Sequence, residues 1–207
     1  MLYSTKPSSA LTMPNKKAIH RFIYLATLII ISGCASKPSY EIQQPDWEIS
    51  GKLAVREPQR STTLLFNWQQ KNDHYLIHLM NPLGQIQLTL VGNKHYANAV
   101  DSDGNIHQAN NAEQLLLNLT GWQFPIQSAQ LWLQGKADKS ADKLQYSEQR
   151  LSDLQSRQWQ VALSHYRPID GQQLPHRLRI VKEDGLLTLI LIIKQHAHFL
   201  PLAASTG

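Results

Sequence analysis

Residues 75–91 read YLIHLMNPLGQIQLTLV, in which two runs with strand periodicity flank a short turn. Alternate positions are apolar from Tyr75 to Leu79 and again from Ile86 to Leu90. An apolar side chain at every second position is typical of a strand with one buried face. The stretch therefore predicts an antiparallel β-hairpin whose two strands each present an apolar face to a core.

The turn of this hairpin, Asn81-Pro82-Leu83-Gly84, carries an unusual residue at its tip. Pro82 fixes its own φ and Gly84 can adopt a positive φ, so the four residues predict a tight turn with Leu83 between them. Turn tips are normally polar. Leu83 therefore either folds back into the core or meets a hydrophobic partner outside the protein.

Strand patterns occupy most of the remaining sequence. They cover residues 47–55, 64–68, 95–100, 144–146, 150–155, 159–166, 178–182 and 186–193, with a short return strand at Ile106. Two apolar helical segments, residues 112–119 and 128–134, lie between the two groups of strands. This order predicts a mainly β protein with some α structure, in which one antiparallel sheet is covered on one face by helices.

The N-terminal region has the features of a bacterial lipoprotein signal. Basic residues precede an apolar run from Phe22 to Ile31, which is too short to span a bilayer comfortably. Ser32-Gly33-Cys34 then completes a lipobox, the pattern in which the cysteine receives an S-diacylglycerol and an N-acyl chain. We expect residues 1–33 to be a signal peptide that starts at Met13 or at Met1. The alternative is a chance cysteine after an ordinary secretory signal.

Removal of such a signal changes the charge of the chain. The first 33 residues contain four of the 20 basic residues and none of the 15 acidic ones, so the mature chain is nearly neutral. The basic composition is therefore no argument for nucleic acid as a partner. Cys34 is the only cysteine, so no disulfide can form within the chain. No cofactor is expected apart from the covalent lipid.

The residues after Cys34 predict a tether and a location. Residues 34–45 show no periodicity and contain Pro38 and Pro45, as expected of a short lipidated linker. In enterobacterial lipoproteins an aspartate directly after the cysteine signals retention in the inner membrane. This chain has Ala35 there, and by that resemblance it is expected in the periplasmic leaflet of the outer membrane.

Few residues have the spacing of a catalytic or metal site. His74 and His78 would share one face of a strand and could meet a metal, but no third ligand lies near, and ordinary strand histidines fit better. Residues 101–105, DSDGN, fit a hairpin turn better than a calcium loop. No nucleophile motif or nucleotide-binding loop occurs. We therefore expect neither an enzyme nor a metal site.

Several motifs occur in an order that resembles the LolB family of outer-membrane lipoprotein receptors. They are the strand from Trp47 to Val55, Phe66-x-Trp68-Gln69, Asn81-Pro82-Leu83-Gly84, Leu119-Thr120-Gly121, Pro125-Ile126 and Trp132-Leu133-x-Gly135. The resemblance covers residues 47–194. It implies an incomplete antiparallel β-barrel of about eleven strands with a helical lid over an apolar cavity.

The resemblance also implies a function. Members accept lipoproteins from the periplasmic carrier LolA by binding their acyl chains, and insert them into the outer membrane without ATP. The expected partners are thus LolA, lipoprotein acyl chains and outer-membrane lipid, with the receptor itself a monomer. Leu83, between Pro82 and Gly84, is implied to be the membrane-insertion loop needed for release. The cavity-lining candidates are Leu64, Phe66, Trp68, Ile77, Leu79, Leu88, Leu116 and Trp132.

Two other functions fit the same residues. One is a structural or assembly-scaffold lipoprotein whose barrel is filled by its own side chains, since Trp68, Trp122 and Trp132 can be core residues as readily as cavity walls. The weaker one is an enzyme that acts on lipid, for which no nucleophile with an activating base is evident. An apolar space under the helices would distinguish a carrier from a scaffold.

The sequence departs from the family pattern at both ends of the domain, which we expect to span residues 46–196. Only residues 35–46 separate the lipidated cysteine from the first strand, so a helix that some members have there is expected to be missing. The last strand is expected to finish near Lys194. Residues 197–207 are then an atypical C-terminal tail, either an addition or the product of a frameshift.

Overall fold

The computed structural model describes residues 40–197, so the expected signal peptide, Cys34 and the tail beyond Ala197 lie outside the described residues. The described part forms eleven strands and two helices. Their order is β1 (Trp47–Arg56), β2 (Ser61–Lys71), β3 (His74–Met80), β4 (Ile86–Gly92), β5 (Ala97–Asp101), β6 (Ile106–Ala109), α1 (Ala112–Thr120), α2 (Ile126–Trp132), β7 (Ala141–Ser147), β8 (Arg150–Ser156), β9 (Trp159–Ile169), β10 (Gln172–Lys182) and β11 (Thr188–Ala197).

All eleven strands belong to one antiparallel sheet that does not close on itself. Its order is β6-β5-β4-β3-β2-β1-β11-β10-β9-β8-β7, so two runs of neighbouring hairpins join where β1 pairs with β11. The two edge strands, β6 and β7, are consecutive along the chain and are connected through α1 and α2. The prediction of an incomplete antiparallel barrel with two helices is confirmed.

Strand β1 shows why this sheet has an apolar concave face and a polar convex face. Trp47, Ile49, Leu53 and Val55 are buried, and the residues between them are half-buried or exposed. Gly51 completes the buried series. A Cβ atom there would lie 2.1 Å from the carbonyl oxygen of Ile192, so only glycine permits the observed approach of β1 to β11.

Helix α1 is defined by caps that the sequence contains. The Asn111 side chain accepts a hydrogen bond from the backbone N–H of Gln114 at 2.8 Å, and Gly121 ends the helix with a φ of 78°. Leu115 and Leu116 are buried beneath it. A helix of nine residues is not stable alone, so its position depends on this packing against the sheet.

Helix α2 begins two residues earlier than the predicted 128–134. It starts directly after Pro125 and buries Ile126, Ala129 and Trp132. The prediction placed Leu133 inside the helix, whereas Leu133 is its C-terminal cap and also buried. Proline before the first turn is compatible with the helix because it lacks only an N–H that would be unpaired there.

The prediction that Ile86 shares the core face with Leu88 and Leu90 is wrong. The ladder between β3 and β4 pairs Leu79 with Leu88 and then Met80 with Ile86, so one residue of β4 is unpaired in a bulge. Because side chains alternate between faces, this single extra residue turns Ile86 to the convex face. Ile86 is 48% exposed, whereas Leu88 is buried.

The last strand is longer than predicted. It was expected to end near Lys194 but continues to Ala197, because pairing with β1 resumes after a bulge at Ser50 and Gly51. At the other end, residues 40–46 contain no helix. They are held to β2, where Lys71 donates to the carbonyl of Gln43 at 2.8 Å and the N–H of Asn72 donates to the Asp46 carboxylate at 2.7 Å.

The loop at residues 101–105 is the predicted hairpin turn. The Asp101 carboxylate accepts hydrogen bonds from the backbone N–H groups of Asp103 and Asn105, from the Asn105 side chain and from His107. These bonds, chiefly those from His107 and Asn105, hold the pKa of Asp101 well below its usual value. Its oxygens are occupied by donors from the protein itself.

Two histidines face each other at the other end of the sheet. The rings of His176 and His196 lie 4.9 Å apart, and His176 is almost fully buried. Neither His176 Nε2 nor His196 Nδ1 has a hydrogen-bond partner among the described residues. Burial, reinforced by the neighbouring His176, lowers the pKa of His196 to about 4, against a smaller opposing effect of Asp170.

We expect His196 to make stability depend on pH. A histidine with a lowered folded pKa binds fewer protons in the folded state than in the unfolded state, whose pKa is about 6.5. The free energy of unfolding should therefore fall as the pH drops from about 6.5 to about 4. His196→Gln should reduce this loss by an amount of order 1 kcal/mol, or about 2–4 °C in Tm.

Thermal melts of both proteins across this pH range measure the effect. The exposed His95, which lies outside the His176–His196 pair, provides the matched control substitution, His95→Gln. If the His196 variant and the parent protein lost stability equally as the pH fell, the pH dependence could not be assigned to His196.

Candidate functional site

An apolar cavity lies between the concave face of the sheet and the two helices. Its volume is about 40 Å³. The walls come from four neighbouring sheet strands, from β11, from α1, from the segment between α1 and α2, and from the first residue of α2. They are Leu53, Val55, Trp68, Ile77, Leu79, Leu90, Leu116, Thr120, Trp122, Phe124, Ile126 and Leu189.

The residues singled out from the sequence divide into two groups. Trp68, Ile77, Leu79 and Leu116 border the cavity, whereas Leu64, Phe66, Leu88 and Trp132 do not. Leu64 is only half-buried, while Phe66 and Leu88 are core residues. The indole N–H of Trp132 donates to the Asp138 carboxylate at 3.0 Å, which directs this side chain toward the connection between α2 and β7.

On the lid side of the cavity, the sequence indicated Leu116 and Trp122 but not Thr120, Phe124 or Ile126. Phe124 lies in the connector after α1, where no strand or helix period exists. Its only signal was its position, three residues after the glycine that ends the helix. On the sheet side, Leu53 and Val55 follow the alternation of β1 and could have been included.

No free polar atom from the described residues faces this cavity. Thr120 has the single aliphatic hydroxyl among the lining residues; it donates to the carbonyl of Leu116 at 2.7 Å and accepts from the backbone N–H of Trp122 at 3.1 Å. The Trp68 indole N–H donates to the side chain of Gln70 at 3.0 Å. With these groups paired, the walls offer contact to apolar ligands and no directional recognition.

The connector is fastened to the turn between β1 and β2 through Trp122. Its indole N–H donates to the Glu57 carboxylate at 3.3 Å, and the guanidinium carbon of Arg60 lies 5.6 Å from the ring centre. Arg60 in turn forms an ion pair with Glu57 at 2.9 Å. Arg60 is largely exposed, so each contact is individually weak, but together they hold Trp122 across one end of the cavity.

Aromatic rings fill the adjoining part of the interior. The ring centres of Trp47 and Trp68 are 5.7 Å apart, and those of Trp68 and Phe124 are 6.3 Å apart, all in tilted arrangements. Such pairs contribute somewhat more than their buried area alone. Phe124 thereby connects the lid to the floor of the cavity.

The turn between β3 and β4 holds Leu83 outside the protein. Leu83 is 85% exposed, so the possibility that it folds back into the core is excluded. The Asn81 side-chain oxygen accepts from the backbone N–H groups of Leu83 and Gln85, both at 3.0 Å, and Gly84 adopts a φ of 82°. These bonds order the turn without using the Leu83 side chain.

This turn lies at the same end of the sheet as the Trp122 contacts. The strand register places residues 57–60, 81–85, 101–105 and 183–187 at that end. Leu79 and Val55, which line the cavity, are close to it along their strands. The exposed leucine and the fastened end of the lid are therefore on the same side of the molecule.

The histidine pair considered from the sequence has protein partners. His78 Nδ1 lies 3.1 Å from the Thr89 hydroxyl, and the His74 ring contacts both Asp73 and Asn93. In the described part of the chain no three histidine, aspartate or glutamate side chains meet as a metal site. Residues 40–197 also contain no helix that is long and apolar enough to cross a bilayer.

Several known proteins are similar to this chain in sequence. The family model for the outer membrane lipoprotein LolB matches residues 45–195. The outer-membrane lipoprotein LolB of Aeromonas hydrophila is 30% identical, with 82% of this chain and 93% of the relative aligned. That of Cellvibrio japonicus is 32% identical, with 84% and 96% aligned.

A solved structure supports the fold alone. A domain from Vibrio parahaemolyticus assigned to outer membrane lipoprotein sorting superimposes with a TM-score of 0.51 at 6% identity, over 76% of this chain and 87% of that one. The family itself rests on the sequence matches, which extend over nearly the whole described sheet. The chain belongs to the LolB family of outer-membrane lipoproteins.

Proposed function

We propose that the protein, whose family serves in lipoprotein localisation at the outer membrane, accepts lipoproteins from the periplasmic carrier LolA by binding their acyl chains in the cavity. It then inserts them into the outer membrane. The observation that carries this proposal is the cavity wall, which is apolar and has its polar groups paired. Such a wall recognises what all lipoproteins share, their acyl chains, and ignores the protein part of each cargo.

Acceptance of an acyl chain requires the lid to move. A cavity needs roughly 10–15 Å³ to hold one water molecule, so a volume of about 40 Å³ has no room for a chain of many carbons. The connector that carries Trp122 and Phe124 is the part to be displaced, since it is joined to the sheet by a few weak polar contacts and one aromatic pair. Each methylene that then enters contributes about 0.8 kcal/mol.

The transfer does not need ATP in this scheme. The sequence contains no phosphate-binding loop, and the direction of transfer follows from the relative affinities of carrier, receptor and membrane for the same acyl chains. The receptor works as an intermediate whose affinity lies between the other two. A monomer with one cavity is sufficient for this role.

The small cavity supports a second candidate, a scaffold lipoprotein whose interior is filled by its own side chains. Transfer of a fluorescently labelled lipoprotein from purified LolA to this protein separates the two. A carrier should take up the label in a complex that survives gel filtration, and should pass it to liposomes. A scaffold would leave the label on LolA.

Two adjacent leucines of α1 give a sharper test of the cavity. Leu115 and Leu116 are both buried, but only Leu116 borders the cavity. Leu115→Gln and Leu116→Gln should each lower stability by about 1–3 kcal/mol, because each buries an amide. Only Leu116→Gln should also weaken acyl-chain binding, measured by titration with a fluorescent fatty acid at a temperature where both variants are folded. Equal binding by the two variants would contradict the cavity assignment.

Leu83 is proposed to act at release, inserting into the membrane beside the cavity. Leu83→Glu should leave the melting temperature unchanged, since the side chain is exposed and the turn is ordered by Asn81. The variant should still accept cargo from LolA but should deliver it poorly to liposomes, because a carboxylate resists entering hydrocarbon and burial of the leucine, worth about 1.5–3 kcal/mol, is lost.

The exposed Leu186 is the matched control for this experiment. It lies 57% exposed in the turn between β10 and β11 at the same end of the sheet. Leu186→Glu should therefore keep both acceptance and delivery. A Leu83 variant that is destabilised and fails at both steps would show that the turn has a structural role instead.

Cys34 is proposed to carry the lipid that keeps the protein in the outer membrane. Cys34→Ala should yield a soluble periplasmic protein that still binds acyl chains, because it removes the acylation site while the cavity walls lie within residues 53–189. Fractionation of cells, followed by the fatty-acid titration on the soluble fraction, measures both properties. Retention of the alanine variant in the membrane fraction would refute the lipid assignment.

A further inference from the structure

The bulge in β4 creates an apolar patch on the convex face, directly behind the turn that carries Leu83. Leu65 of β2 pairs with Met80 of β3, and Met80 pairs with Ile86 of β4, so the three side chains form a row across three strands. Leu65 and Met80 are half-buried and Ile86 is 48% exposed. We call Leu65, Met80 and Ile86 the convex shoulder.

The hairpin that carries Met80 and Ile86 is free of charge, and the charge nearest to the shoulder along its row is Lys52 of β1, the exposed partner of Leu65. No aspartate, glutamate, lysine or arginine occurs between Asp73 and Lys94, which covers all of β3, the Leu83 turn and β4. The exposed polar residues of this hairpin near its tip are the uncharged Gln85 and Gln87. A surface of this composition loses little hydration energy when it enters the interfacial region of a bilayer, where a charged surface would resist.

Leu83 and the shoulder are close to each other along the β3–β4 hairpin. Ile86 follows Leu83 by three residues, and Met80 precedes it by three. The hydrogen bonds of Asn81 to Leu83, Gln85 and Gly84 fix the turn between them. The orientation of Leu83 relative to the shoulder is thus set by the backbone before any membrane is met.

The N-terminal segment approaches the same face. The backbone N–H of Ile42 donates to the side chain of Gln69, and Lys71 reaches the carbonyl of Gln43. Gln69 pairs with Leu76 of β3, on the convex side and four residues from Met80, a distance of about 14 Å along the strand. Cys34 precedes Tyr40 by six residues, which can span at most about 20 Å.

The maximum span of these six residues limits the orientation of the protein on a membrane into which the lipid of Cys34 is inserted. The bilayer surface must come within about 20 Å of Tyr40 and must also receive Leu83. Both conditions hold when the convex side of β2, β3 and β4 leans toward the bilayer. An upright molecule that touched the membrane with Leu83 alone would need the six residues close to full extension.

We propose that the convex shoulder, together with Leu83, is the surface that contacts the inner leaflet of the outer membrane, with the barrel tilted onto β2, β3 and β4. This inference rests on the proposed function, in which Leu83 enters the membrane. It adds a second contact, Ile86, and a defined orientation. The partner that binds this surface is membrane lipid, and charged headgroups are not required.

The test uses the lipidated protein in phosphatidylcholine vesicles. Since Cys34 is the only cysteine and is acylated, an introduced cysteine can be labelled alone with an environment-sensitive dye. Three variants are compared: Leu83→Cys, Ile86→Cys and, as the exposed control at the same end of the sheet, Leu186→Cys. Quenching by nitroxide-labelled phosphatidylcholine reports depth, and melting temperatures confirm that each variant folds.

The proposal predicts that dyes at Leu83 and Ile86 lose about half of their emission, as expected for groups about 5–10 Å into the headgroup boundary, while the dye at Leu186 loses little. The quenching should change little between low and high salt, because the hairpin has no Asp, Glu, Lys or Arg side chain and phosphatidylcholine has no net charge. Quenching at Leu83 alone overturns the shoulder and leaves the proposed function standing. Quenching at neither overturns the shoulder and the proposed insertion of Leu83, while acyl-chain acceptance is tested separately by transfer from LolA. Equal quenching at Leu186, or loss of quenching in salt, overturns the tilted orientation.

Discussion

The path of the chain between its two edge strands determines the rest of this structure. Strands β6 and β7 follow one another in sequence but lie at opposite edges of an eleven-stranded sheet. Residues 110–140 must therefore cross the open side of the curved sheet, and an apolar concave face leaves them only one place to pack. The lid thus follows from this strand order together with the apolar side chains of α1 and α2, which are buried against the sheet, and how tightly it is held depends on particular residues.

The lid is held to the sheet only modestly at Trp122. Trp122 is held by a 3.3 Å hydrogen bond and by an arginine that is largely exposed, while the sheet beneath is held by continuous ladders on both sides of β1. Exposed ion pairs contribute little, and local opening occurs where few buried contacts must break. The structure therefore combines a rigid wall with a cover that can be displaced at low cost, which suits a ligand that must enter and leave.

Features that are determined by neighbouring residues could be predicted from the sequence. Features that depend on how two separate segments are aligned could not. Alternation identified β1 to β4 and the caps Asn111 and Gly121 bounded α1, because these signals lie within a few residues of what they determine. Alternation could not reveal the bulge that turns Ile86 outward, since a register shift appears only when two strands are aligned. Phe124 has no periodic pattern, and the contact of His176 with His196 depends on the position of each histidine along β10 and β11, which the strand patterns do not fix. Leu83 was singled out by an apolar side chain at a turn tip, which is a local signal, but its proposed role at release came from the family resemblance.

The pairing of β1 with β11 also has a consequence for biogenesis. Ser50 and Gln195, 145 positions apart, hydrogen-bond across this seam, so the two halves of the sheet join only when the last described strand is present. Closing so long a loop costs entropy before the pairing compensates for it, and folds dominated by distant contacts form slowly. A chain that folds from its N terminus would therefore keep β1 unpaired on one side, and the apolar concave face without its second half, until β11 is available.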